Sequence, residues 1–173
     1  MKNFEGMPKM LITENLKKFL LNKGFVSVGT SDLSGQPNAV PKYIVEIDNG
    51  FIYLADYVIG KTFQNLKINP KISLSTIDIK TLEGLQINGE ARIITKGPLY
   101  KKLLKAMAEQ EVHHTAKRIV EEVRGEKKSD AFEMQLPERV VMIKVKCKKI
   151  TKISITGKLK IERIKKVEWV SGQ

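Results

Sequence analysis

Ala55-Asp56-Tyr57-Val58-Ile59-Gly60-Lys61-Thr62-Phe63-Gln64-Asn65-Leu66-Lys67-Ile68-Asn69-Pro70 runs from the end of an apolar strand, Phe51 to Leu54, through a Gly60 turn into a short helix stopped by Pro70. Lys61 and Thr62 fall in the first turn of that helix. The first amides of a helix have no intrahelical acceptors and carry the positive end of its dipole, so an ammonium and a hydroxyl beside them make the construction of a phosphate site. A P-loop is excluded. Its first Gly would stand at Ala55, and Asp56, Tyr57, Val58 and Ile59 are too bulky to let backbone amides wrap a triphosphate.

Outward from this stretch the strands pair by hairpin chemistry. Asp48-Asn49-Gly50 joins a strand over Asn38 to Ile47 to the one over Phe51 to Leu54. Phe25 to Thr30 and Lys71 to Thr76 read as further strands. Leu85, Ile87, Gly89, Ala91 and Ile93 alternate with Gln86, Asn88, Glu90 and Arg92, the pattern of a strand with one polar face. Near the N-terminus, Leu16, Phe19 and Leu20 at helical spacing between Thr13 and Gly24 mark a capped helix. Gly97 and Pro98 open a helical insertion, about 98–125. Its two apolar stripes, Leu99, Leu103, Met107 and then Val112, Ala116, Ile119, Val123, are out of phase, which predicts two helices or one kinked helix. Strands are expected from about Arg139 to Lys148 and from Thr151 to Thr156, with a basic C-terminal segment over 157–173. The order favours a mainly β, α+β fold, an antiparallel barrel with peripheral helices, in a single domain spanning 1–173.

Composition narrows the function classes. No apolar run approaches the ~20 residues of a membrane span, and residues 1–10 lack the core of a signal peptide, so the expected location is cytoplasmic. The single Cys147 excludes an internal disulfide. His113 and His114, the only histidines, are adjacent on an expected helix and diverge too far to chelate one metal, and they read as solvated. No Ser stands in a G-x-S-x-G elbow. A net charge of +12 admits nucleic acid, yet aromatics are only 6% and are not interleaved with the basic stretch from Lys144 until Trp169, so stacking platforms are scarce. In Arg139 to Lys148 the apolar Val141, Ile143, Val145 and Cys147 alternate with Lys144, Lys146 and Lys148, which predicts a solvated Lys face. With acid, base and nucleophile unsupported, chemistry here would be borrowed from a cofactor.

In order and spacing, Phe25 to Ser31, Gly35 to Asn38, Ala39 to Tyr43, Ile52 to Asp56, Lys61-Thr62-x-x-Asn65-Leu66-x-x-Asn69-Pro70 and Ile87 to Ala91 resemble the FMN-binding split-barrel family that includes the pyridoxamine 5'-phosphate oxidase-like proteins. The resemblance implies an antiparallel split barrel, a homodimer, and FMN at the subunit interface. On it, Lys61 and Thr62 grip the FMN phosphate, with Lys42 close by. Val40, Pro41, Lys42 and Tyr43 run beside the ring and ribityl chain, and Ala55 and Asp56 lie on the next strand facing the ring. The sequence departs from the oxidase proper in having Gly60 where an Arg precedes the phosphate-binding Lys, no Arg near Val40, and no His from Ile161 to Gln173. The implied activity is therefore that of a related FMN-dependent oxidoreductase exchanging hydride or electrons with a small-molecule donor or acceptor. The alternatives are a protein binding the deazaflavin F420, a flavin carrier or sensor without turnover, and a nucleic-acid binder. Trp169 either packs the C-terminal segment onto the barrel or covers a partner's flavin.

Overall fold

The computed structural model describes residues 12–57, 59–123, 139–164 and 168–169, with the backbone alone for 111–123. Thr13 and Gly24 bracket helix α1 (Glu14–Lys23): the Thr13 hydroxyl accepts from the Leu16 amide at 3.3 Å, and Gly24, at φ 69°, donates to the carbonyls of Leu20 and Leu21. The hairpin signal also holds. Asn49 (φ 45°) and Gly50 (φ 80°) turn β2 (Pro37–Asp48) into β3 (Phe51–Asp56), the left-handed pair that matches strand twist.

With β1 (Phe25–Ser31), β4 (Lys71–Ile77), β5 (Gly84–Ile94), β6 (Val141–Ile153) and β7 (Leu159–Arg163), the strands run in the order β3-β2-β1-β4-β5-β6-β7, and every described pairing is antiparallel. A further ladder, from Phe51↔Lys146 to Asp56↔Val141, joins β3 to β6 and closes six strands into a barrel. The split lies on β6. One of its edges pairs with β5, and the other serves β3 over its first half and β7 over its second. Alternation sends Val26, Val28, Ile44, Ile52, Leu54, Leu74, Ile87, Ile143 and Val145 into the barrel, where Leu16 and Leu20 of α1 join them at the end where β1 begins. Helix α2 (Lys61–Ile68) contributes Leu66 at the other end.

The outer face of β2 and β3 is buried as well. Helix α3 (Pro98–Val123) lays Leu103 and Met107 against Tyr43, Val45, Tyr53 and Met142. The Gln110 amide donates to the Val45 carbonyl at 3.0 Å and accepts from the Tyr43 hydroxyl at 2.7 Å. Its span is one helix rather than two; Val112, Ala116, Ile119, Val123 and both histidines have side chains outside the described residues. Expected strands at 139–148 and 151–156 are a single strand, β6. A bulge at Lys148 makes Asn88 face Lys149 while Gly89 faces Cys147, so the inward phase shifts from Cys147 to Ile150 and imitates a break. Part of the expected basic tail is β7.

Candidate functional site

The end of the barrel under α2 collects polar side chains that the strand pattern turns inward. Thr30 follows Val26 and Val28 in phase and is 6% exposed. Asn65, buried on α2, donates to the Thr30 hydroxyl at 3.1 Å, and Asn38 on β2 donates to Thr62 at 3.0 Å and to Thr30 at 3.4 Å. Asn69, just past α2, donates to the Ser31 carbonyl at 3.1 Å. This network of amides and hydroxyls ties α2 to the ends of β1 and β2. The Asn65 Oδ1 is buried without a hydrogen-bond partner among the described residues.

Helix α2 begins at Gly60, which has no side chain to cap the first-turn amides. Lys61 projects to the surface beside it, its ammonium 3.3 Å from Asp32 of the β1–β2 turn. The Asp32 carboxylate also accepts from the Ser34 hydroxyl at 2.6 Å and the Ser34 and Gln36 amides at 3.1 and 3.0 Å. The Ser34 hydroxyl, then the Gln36 amide and Lys61, hold its pKa below the ordinary carboxylate value despite some desolvation. Thr62 is turned the other way, 2% exposed, and is not the helix cap.

The remaining expected site residues separate by strand alternation. Lys42 and Asp56 point inward and form a buried ion pair. Tyr43 and Ala55, register partners, lie on the opposite face beneath α3. Val40 is partly buried and Pro41 is exposed. Thus Thr62 meets Asn38 beneath α2 and Lys61 stands at the start of that helix, Lys42 and Asp56 pair with each other inside the barrel, and Tyr43 and Ala55 are held apart from them by the sheet itself. Thr30, Asn38, Asn65, Asn69 and Asp32 were not among the expected site residues. Their signal was polar type at inward strand positions for Thr30 and Asn38, at the β1–β2 turn for Asp32, and on and just past α2 for Asn65 and Asn69.

The Lys face of β6 is solvated only in part. Lys144 is 7% exposed, its ammonium 4.4 Å from the Phe51 ring centre, and desolvation and then Arg92 lower its pKa. Trp169 lies over Arg92 at 4.1 Å and packs on Phe51 at 5.5 Å, so it covers the outer face of its own barrel. Among the described residues no group of His, Cys, Asp and Glu could hold a metal, and no helix is long and apolar enough to cross a membrane.

Residues 12–150 match the sequence pattern of the pyridoxamine 5'-phosphate oxidase family. The chain belongs to that family. Its relatives include an uncharacterised protein of Methanocaldococcus jannaschii, MJ0282, 28% identical over 103 residues, 58% of this chain and 68% of the relative. Among solved structures it is similar to HupZ of Group A Streptococcus, at TM-score 0.61 and 24% identity over 83% of this chain and 95% of that one. A pyridoxamine 5'-phosphate oxidase-related, FMN-binding protein of Nostoc punctiforme superposes at TM-score 0.53, with 12% identity over 87% and 92% of the two chains. The heme storage protein HutZ of Vibrio cholerae does so at 0.54, with 17% identity over 79% and 90%. At these identities the structural likenesses show the fold.

Proposed function

We propose that the chain binds FMN, with the phosphate at the N-terminus of α2. The observation that carries this reading is the uncapped helix end at Gly60 with the Lys61 ammonium beside it. A phosphate there takes hydrogen bonds from first-turn amides and charge from Lys61, while the Thr30, Asn38, Thr62 and Asn65 network beneath holds the helix in place. When bound, the flavin supplies hydride or electron transfer. On this reading the protein is an oxidoreductase using a small-molecule donor or acceptor, and its own residues bind and orient the cofactor.

A homodimer is part of the proposal. Gly29 and Ser27 of β1 face Ser73 and Ser75 of β4, which in turn face Asn88 and Gln86 of β5. In a chain of 31 Lys and Arg these six outward residues form a contiguous patch with no charge, suited to a second copy.

The test is the visible spectrum of the purified protein after addition of FMN, F420 or hemin and removal of the excess. Retained flavin absorption, weakened at least tenfold in affinity by Lys61→Ala, supports the reading, since a charged hydrogen bond is worth about 1.5 to 3 kcal/mol. Asp32→Asn, which frees Lys61, tightens FMN binding. Retention of F420 in place of FMN moves the reading to the deazaflavin, and retention of hemin alone, as the name of HutZ suggests for that protein, overturns it. Sedimentation at the mass of two chains, reduced to one by Ser73→Lys, tests the dimer.

A further inference from the structure

Away from α2, at the barrel end that α1 covers, a cavity of about 560 Å³ opens between α1, the start of β5 and the β6–β7 hairpin. Its walls are Leu16 and Phe19 of α1, Leu85 of β5, Ile153 of β6 and Leu159 of β7. Ile153 and Leu159 are 40% and 61% exposed, so the cavity leaves apolar area facing water. Gly84 enlarges it. A Cβ at Gly84 would meet the Cβ and Cδ1 of Ile153 at 3.4 and 3.6 Å, and no left-handed backbone calls for glycine there. The missing side chain therefore makes space.

The rim is cationic. Lys152, Lys158 and Lys160 line it against Glu83. Lys160 is paired with Glu162 at 3.2 Å, whereas Lys152 and Lys158 have no carboxylate within ion-pair distance among the described residues. Residues 1–11, which precede α1, carry two Lys and one Glu and so do not complement this rim.

We infer that this cavity binds a small single-chain amphiphile, an aliphatic carboxylate whose tail lies against Phe19, Leu85, Ile153 and Leu159 and whose head meets Lys152 and Lys158. The volume lies in the ~300 to 1,000 Å³ range of small-ligand pockets, and apolar walls with a few convergent charges are their usual lining. The site is independent of the flavin reading, because it lies at the opposite end of the barrel from α2.

Calorimetric titration of the full chain with dodecanoate, dodecanol and dodecyltrimethylammonium, each below its micellar concentration, tests the assignment. Dodecanoate is expected to bind at one per chain, with the alcohol and the ammonium at least tenfold weaker. Gly84→Val, which narrows the cavity beside Ile153, and Lys152→Glu/Lys158→Glu, which changes only exposed side chains, should each weaken dodecanoate at least tenfold with FMN retention and melting temperature unchanged. If Gly84→Val does not fold, the lysine pair carries the test. Absence of saturable binding, equal binding of all three amphiphiles, full affinity in the lysine variant, or binding to phosphatidylglycerol vesicles without binding of dodecanoate overturns the inference.

Discussion

Lys42→Met removes the cation from a buried pair whose other member, Asp56, is fully buried. Taking one partner from such a pair costs about 3 to 5 kcal/mol, because the remaining charge keeps its desolvation penalty and loses the attraction that offset it. For a chain of this length each kcal/mol lowers the melting temperature by about 2 to 4 °C, so a fall of roughly 6 to 20 °C is expected. Asp56→Asn should cost a similar amount by stranding Lys42, which is 9% exposed. The double variant strands neither charge, and its loss should fall short of the sum of the singles by about 1 to 3 kcal/mol. Guanidinium unfolding followed by circular dichroism and by the fluorescence of Trp169, the single tryptophan, measures all four species. Single losses below about 1 kcal/mol, the size for exposed pairs, or strict additivity would refute the view that Lys42 and Asp56 are a desolvated unit.

Three other outcomes follow from the geometry. Gly89→Ala places a Cβ 2.2 Å from the Lys146 carbonyl oxygen at the β5–β6 bulge and should cost at least about 3 kcal/mol in the same unfolding assay. Burial pushes the Cys147 thiol up to about 12, so a thiol reagent should modify it at neutral pH only after denaturant opens the barrel, and rapid labelling of the folded chain would contradict its 1% exposure. The Ser34 hydroxyl at Asp32, the Lys80 amide at Asp78 and Lys148 at Glu90 lower all three carboxyl pKa values in the fold, so the unfolded chain takes up protons first as pH falls below about 4.5. Their stabilisation is present at neutral pH and lost on acidification through the lowered values, and Asp32→Asn with Glu90→Gln should flatten the decline in unfolding midpoint between pH 6 and pH 3.

Local chemistry made much of the fold legible. Thr13, Gly24 and Asn49-Gly50 state their conformations within a few residues, and the alternation from Leu85 to Ile93 fixes a face. The bulge at Lys148 was hidden because an extra residue reverses phase, which in sequence looks the same as a strand ending. Lys144 was misread for a related reason: alternation says that it leaves the barrel interior, but not that Phe51 and Trp169 cover the outside. At the candidate site, Lys61 beside a glycine-led helix was readable because the signal is local. Within Val40 to Tyr43 neighbouring strand residues point to opposite faces, so Lys42 enters the barrel while Tyr43 meets α3. The Asn38, Thr30, Thr62 and Asn65 contacts join residues far apart in the chain, and no single window contains them.

The ladder between β3 and β6 sets the timing of assembly. Phe51 to Asp56 can complete their pairing only with Val141 to Lys146, so during synthesis the first hairpins wait with an open, apolar edge while α2, β4, β5 and α3 are made. An edge of that kind invites pairing with other chains. Helix α3 leaves the ribosome before β6, and its Leu103 and Met107 are able to shield the outer faces of Tyr53 and Ala55 before β6 arrives. In that interval the helix serves as a cover for an unfinished sheet, so its loss would lower the yield of folded protein as well as the stability of the completed barrel, in which Leu103 and Met107 are buried.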